Sequence, residues 1–184
     1  MRIIAGKFKG RVIEMTKGTR PTSDKVREAL FEILKNRIVG ARFLDLYCGS
    51  GAVGIEAFSR GAKNITFVDN NLRCIAALKE NLNQLDIKEL YSIHIYKKEV
   101  LKALEEFNRL SMTFDVIFLD PPYYKDMARN TLIALSNYDI LPPNTVVVAE
   151  VYKKEILPET IGFLEKTRIS TYGDTKLEFF INKR

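Results

Sequence analysis

The tetrapeptide Asp120-Pro121-Pro122-Tyr123 is the segment best equipped for chemistry, and it directly follows the apolar run Phe114-Asp-Val-Ile-Phe-Leu119. Two consecutive prolines lack N–H groups and fix φ, so such a loop is stiff and its carbonyls stay free to accept hydrogen bonds. Asp120 can accept from an amino group, and a proline carbonyl can accept its second hydrogen. Tyr123 offers a flat face for a base to stack on, worth roughly 1–3 kcal/mol. The loop therefore suits an amine whose lone pair is delocalised into a ring or amide. Holding both N–H groups out of plane exposes that lone pair for attack on a carbon electrophile, by positioning and electrostatics rather than by a metal. Asp120, Pro121, Pro122 and Tyr123 are the candidate catalytic residues.

A second constellation lies upstream. Phe43-Leu-Asp-Leu-Tyr-Cys-Gly-Ser-Gly-Ala-Val-Gly54 places Gly49, Gly51 and Gly54 in G-x-G-x-x-G spacing, with Asp69 twenty residues after the first glycine. Glycines at a strand-to-helix turn let the backbone approach a ligand closely, and the later carboxylate can accept from both ribose hydroxyls. This combination fits an adenosine-type ligand, and both dinucleotides and S-adenosylmethionine meet it. Two features favour the latter. Asp45 is badly placed beside a pyrophosphate but well placed for a sulfonium and an α-ammonium group. The polar turn Cys48-Gly-Ser-Gly differs from the apolar turn usual in dehydrogenases. With this cofactor the electrophile is an S-methyl carbon and the leaving group a neutral thioether.

The elements that must position these residues alternate. Strands are expected at 42–47, 64–69, 91–96, 114–119 and 145–151, and helices at 52–60, 71–84, 98–109, 126–137 and 158–165. Such alternation argues for a parallel sheet covered on both faces. Residues 167–172 and 176–182 are joined by a short turn at Gly173-Asp174 and should form a hairpin. Before the alternation begins, residues 2–15 read as two short strands around Gly6–Gly10, followed by a helix over 24–39 capped by Thr22 or Ser23. The expected fold is one α/β domain, a doubly wound, mostly parallel, Rossmann-like sheet of seven strands with an antiparallel C-terminal strand. Residues 1–40 would form a hairpin-plus-helix extension to it.

The 184 residues carry a net charge of +6, with 46% hydrophobic and 28% charged side chains. All of that excess sits in residues 1–27, where eight basic side chains face two acidic ones. A concentrated basic arm is the footprint of phosphate-backbone contact, so Arg2, Lys7, Lys9, Arg11, Arg20, Lys25 and Arg27, with Phe8 for stacking, are the candidate nucleic-acid-contacting residues. Apolar runs are strand-sized, no secretory pattern is visible, and the two cysteines form neither a metal-spacing motif nor a disulfide framework; a cytoplasmic, metal-free monomer is expected.

Taken together, Ile3-Ile-Ala-Gly-Lys-Phe-Lys-Gly-Arg11, Arg20-Pro-Thr-Ser-Asp-Lys-Val-Arg-Glu-Ala-Leu-Phe31, the glycine motif and Asp120-Pro-Pro-Tyr123 resemble the bacterial 16S ribosomal RNA guanine-N2 methyltransferases of the RsmD type. The resemblance spans nearly the whole chain, and the Arg-Pro-Thr…Val-Arg-Glu block is its most specific part. It implies a class I methyltransferase fold, S-adenosylmethionine as cofactor, and one guanine of small-subunit ribosomal RNA, within an assembling particle, as substrate. It also implies that the Pro21-Thr22 region approaches the methionine end of the cofactor. The candidate cofactor-binding residues are then Thr22, Asp45, Tyr47, Gly49, Ser50, Gly51, Asp69, Asn70, Lys98 and Glu99. The chain departs from the pattern after the third strand, where Lys98 stands in place of the usual adenine-contacting Asp or Asn and Glu99 is its nearest substitute.

The single histidine, His94, excludes a histidine dyad and reads as a packed or edge residue. Cys48 reads as a small spacer, Tyr124 as an extension or cover of the loop, and Lys125 and Arg129 as phosphate contacts or solvated helix surface. Three competing functions differ in their consequences. An N6-adenine or amide methyltransferase would use a similar loop but usually opens it with Asn. A nicotinamide-dependent oxidoreductase leaves Asp120-Pro-Pro-Tyr123 unexplained, and a non-catalytic RNA-binding module explains the basic arm alone.

Overall fold

The computed structural model describes residues 1–16, 22–87, 92–123 and 126–184. Its core is a sheet of eight strands in the order β3-β2-β1-β4-β5-β8-β7-β6 among the described residues. Strands β1 (Arg42–Leu46), β2 (Asn64–Asp69), β3 (Ile93–Lys97), β4 (Val116–Leu119) and β5 (Val146–Tyr152) run parallel. Residues of β1, β2, β4 and β5 are mostly buried, as continuous runs such as Val146-Val-Val-Ala149 require of a sheet covered on both faces, whereas the edge strand β3 is partly exposed along its length. On one face, α1 (Asp24–Ile38), α2 (Ala52–Ser59) and α3 (Leu72–Gln84) share a core with Phe43, Phe67, Phe118 and Phe179. On the other, α4 (Val100–Arg109) and α5 (Met127–Asn137) pack with Leu44, Ile117, Val147 and Phe180. The chain reverses its direction of winding between β1 and β4, which opens a crevice at the carboxyl ends of these strands, where open α/β sheets bind ligands.

The doubly wound architecture matches the sequence expectation, with two corrections. The segment 158–165 is not helical: β6 (Thr160–Ile161) turns back into β7 (Leu164–Tyr172), which pairs with β8 (Thr175–Asn182). The spacing of Ile161 and Leu164 suits a helix face, yet both are buried in a tight hairpin instead. Gly162 explains the choice, since its φ is +56° and a Cβ there would lie 2.8 Å from that of Ser136. The antiparallel end of the sheet therefore holds three strands, β6 being added to the two of the expected hairpin, which brings the total to eight rather than seven.

The N-terminal segment loops back on itself but makes only one β-bridge, between Arg2 and Val12, too short for the two strands expected. It is held by α2 instead. The N–H groups of Ile4 and Ala5 donate to Glu56 at 2.8 and 3.0 Å, and those of Lys7 and Phe8 donate to the carbonyl and hydroxyl of Ser59. Gly6 permits this approach: a Cβ on it would fall 1.8 Å from the Ser59 carbonyl oxygen. Further along, the Asn81 side chain clamps Glu14 through both its N–H and its carbonyl, and also donates to Ser50 O at the glycine-rich turn.

Candidate active site

A cavity of about 580 Å³ lies over the carboxyl ends of β1, β2 and β4, a size ordinary for a small-molecule site. Its wall brings together most of the residues picked from the sequence. Thr22, Asp45, Tyr47, Gly49, Ser50, Asp69, Asn70, Lys98 and Glu99 line it, and so do Asp120, Pro121, Pro122 and Tyr123. The glycine-rich turn and the Asp-Pro-Pro-Tyr loop, 66 residues apart between Gly54 and Asp120, thus face one space because β1 and β4 are hydrogen-bonded neighbours in register from Phe43 to Leu46. Gly51 is an exception. It sits behind the wall as the N-cap of α2 at φ +83°, where a Cβ would meet Leu78 at 2.3 Å.

The three glycines have three different reasons. Gly54 lets α2 lie against β2, since a Cβ would come within 2.3 Å of the Phe67 ring. Gly51 makes the turn. Gly49, at φ +55°, has nothing within 4 Å of where a Cβ would stand, so the open space there belongs to the cavity. Tyr47 takes a left-handed conformation, φ +60°, immediately after β1 and is anchored by a 2.8 Å hydrogen bond between its hydroxyl and that of Thr131. Such strain in a non-glycine residue clusters at functional sites.

The electrostatics are acidic. Asp69 accepts from the N–H groups of Gly49 and Asn71 at 2.9 and 2.8 Å, which fixes its carboxylate at the end of β2. Asp45 is buried and accepts from Gly54 N–H at 2.8 Å. Burial pushes its carboxyl up to about 7, against the lowering effect of that N–H and with a further raising effect from Asp69. A cation in the cavity would relieve this. The Thr22 hydroxyl donates to Glu150 Oε2 at 2.8 Å and lies 3.5 Å from Asp120 Oδ2. Tyr123 shares a 3.0 Å hydrogen bond with Thr175 and packs against Tyr152, with ring centroids 5.8 Å apart. The loop aromatic is therefore held in place by β5 and by the β7–β8 turn.

At the expected adenine-contact position the two candidates diverge. Lys98 pairs with Glu106 on α4, whereas Glu99 accepts from Asn70 Nδ2 at 2.5 Å, across the cavity rim. Several lining residues carry no chemical signature in the sequence, among them Met15, Val53, Cys74, Phe118 and Met127. Only Asn71 carried a signal, as the N-cap of α3 with its side chain accepting from Arg73 N–H. Cys48 lines the cavity with a thiol pushed well above its usual range by burial, which fits a spacer and not a nucleophile. His94 is exposed on the edge strand β3, in a shallow hollow at the opposite ends of the strands.

The candidate RNA residues separate into two groups. Arg2, Lys7, Lys9, Arg11 and Lys25 are exposed. Phe8 and Arg27 are not, and their assignment to RNA is corrected. Phe8 is 7% exposed and stacks on Phe58, so it serves the core. Arg27 is fully buried, where it reaches Glu56, Asp24 and the carbonyl of Arg2 and fastens the N-terminal segment to α1 and α2. Arg20, Tyr124 and Lys125 lie outside the described residues.

The family model described as Conserved hypothetical protein 95 matches residues 1–181. Ribosomal RNA small subunit methyltransferase D of Haemophilus influenzae is 36% identical over 172 residues, covering 91% of this chain and 88% of that protein. The chain belongs to the RsmD-like methyltransferase family. This RsmD-like chain is also 38% identical to YlbH of Bacillus subtilis, over 98% of both chains. The structure of yhhF from Escherichia coli superposes on it with a TM-score of 0.86 at 27% identity, covering 100% of this chain and 98% of that one. The curated relatives of that name are ribosomal RNA methyltransferases, and the cofactor expected for this chain is S-adenosylmethionine. The site fits that cofactor on its own chemistry: a fixed carboxylate at Asp69 for ribose hydroxyls, a buried carboxyl at Asp45 that a cation would stabilise, and open space at Gly49. Among the described residues no group of three or more His, Cys, Asp or Glu side chains is placed to hold a metal ion.

Proposed function

We propose that this protein methylates the exocyclic N2 amine of a guanine in 16S ribosomal RNA, in the cytoplasm and on an assembling small-subunit particle. The observation that carries the reading is the single cavity shared by Asp69, Asp45 and the Asp120-Pro-Pro-Tyr123 loop. S-adenosylmethionine, when bound, supplies the electrophilic methyl carbon. Asp69 holds the ribose, Asp45 faces the cationic end, and the Gly49–Ser50 turn gives the backbone room to approach.

Asp120 accepts one N–H of the guanine amine and takes up its proton, and a proline carbonyl accepts the other N–H. Tyr123, braced by Thr175 and Tyr152, stacks on the base. Residues 1–40 act as an extension of one methyltransferase domain, and its exposed Arg2, Lys7, Lys9, Arg11 and Lys25 meet RNA phosphates. Described residues of one chain line the cavity, and the form proposed is a monomer. Asp120→Ala tests the chemistry: turnover on 16S RNA should fall by about a thousandfold or more, with cofactor affinity within about twofold. Near-normal turnover would remove Asp120 from the reaction.

A further inference from the structure

We infer that Glu150 is a positioning residue for Asp120, acting through the hydroxyl of Thr22. The inference rests on the amine-methylation reading above. Glu150 lies near the end of β5, is 2% exposed, and was not singled out by any motif. Thr22, 5% exposed, stands between it and the reactive loop, with Oγ1 2.8 Å from Glu150 Oε2 and 3.5 Å from Asp120 Oδ2. A hydroxyl has one proton and two lone pairs. The shorter contact is of ordinary O–H···O length and takes the proton, whereas the longer one exceeds that range. Glu150 thereby turns a lone pair of Thr22 toward Asp120.

An ionised Asp120 gains nothing from that lone pair, but a protonated Asp120 can donate to it. Methylation leaves the amine nitrogen cationic. Its N–H bond then breaks, the electron pair stays on nitrogen, and the proton passes to the Asp120 carboxylate, which becomes neutral. The new carboxyl O–H donates to Thr22 Oγ1, whose own proton remains on the Glu150 side. Glu150 thus stabilises the state Asp120 reaches as the proton is released, and does so without touching substrate.

The test is single-turnover methyl transfer from S-adenosylmethionine to 16S RNA by Glu150→Gln, Thr22→Val, Thr22→Ser and the Glu150→Gln/Thr22→Val pair, with cofactor affinity, RNA concentration dependence and Tm recorded for each. Glu150→Gln should slow the rate constant by about tenfold or more. Its cofactor affinity and half-saturating RNA concentration should stay within about twofold. Thr22→Val should show a similar loss, Thr22→Ser should recover most of it, and the double variant should be no slower than the slower single variant. A Glu150→Gln rate within about twofold of the unmodified protein, or losses that multiply in the double variant, would overturn the inference. If Glu150→Gln does not fold, the comparison of Thr22→Ser with Thr22→Val decides, and equal rates in those two reject it. An inactive Asp120→Ala beside a normal Glu150→Gln rejects only this inference. An active Asp120→Ala rejects the amine reading with it.

Discussion

Two carboxylates are buried against helix α2, and they are treated in opposite ways. Glu56, fully buried within the helix, receives two backbone N–H groups from Ile4 and Ala5, the Arg60 guanidinium at 2.7 Å and the Arg27 guanidinium at 3.5 Å. Asp45, 1% exposed near the other end of the helix, accepts from Gly54 N–H and has the carboxylate of Asp69 near enough to raise its pKa further. The first is satisfied from several sides and fastens the N-terminal segment to the domain. The second is left with a disfavoured charge on the wall of a cavity. Burial alone does not separate structural from functional acids; what surrounds the carboxylate does.

The comparison predicts effects of different kinds. Glu56→Ala removes one of the carboxylates paired with buried Arg27 and the acceptor of the Ile4 and Ala5 N–H groups, and should destabilise the fold by about 3–5 kcal/mol, read as a lowered denaturation midpoint. An effect below about 1 kcal/mol would mean that Glu56 is not the fastening point.

Asp45→Asn should leave the cofactor-free fold intact and weaken S-adenosylmethionine binding by about 10- to 100-fold in a titration, roughly 1.4–2.7 kcal/mol. The pH dependence sharpens this. Asp45 ionises near 7 in the folded chain, against an ordinary value of 3.8, so the folded state holds the extra proton between those limits. Its contribution to stability is therefore greatest at low pH, declines as pH rises from about 4 to about 7, and is level above that. The difference in cofactor-free stability between the unmodified protein and Asp45→Asn should follow that window, and a flat difference would contradict it. Cofactor affinity should move the other way, weakening as pH falls below about 7, because the cation needs the ionised carboxylate.

The smallest effect belongs to the exposed arm. Lys9→Ala should leave Tm unchanged, weaken RNA binding by about 1 kcal/mol or less and reduce the salt slope by about one. A loss specific to one RNA sequence would instead make Lys9 a base-reading residue.

The parallel half of the fold was legible because each buried strand is a continuous apolar run and each helix shows a periodic face. The site was legible where chemistry constrains residue type, at Gly49, Asp69 and Asp120-Pro-Pro-Tyr123. Charge counting misled at Arg27 and Phe8, since composition places a basic aromatic arm outside and only the Glu56 pairing and the Phe58 contact reveal which members turn inward. The helix expected over 158–165 failed because Gly162, in contact with Ser136, outweighs a weak spacing signal. Glu150, Thr175 and Met15 could not be found from sequence, because their places at the site depend on contacts between residues far apart in the chain.

The most direct test is the identity of the methylated nucleoside. Protein incubated with isotope-labelled S-adenosylmethionine and unmodified small-subunit particles, naked 16S RNA or duplex DNA would be followed by digestion and mass spectrometry. The account predicts N2-methylguanosine from ribosomal RNA, with the particle the better substrate. Methyl-adenine, label confined to DNA, or no transfer to RNA would contradict it.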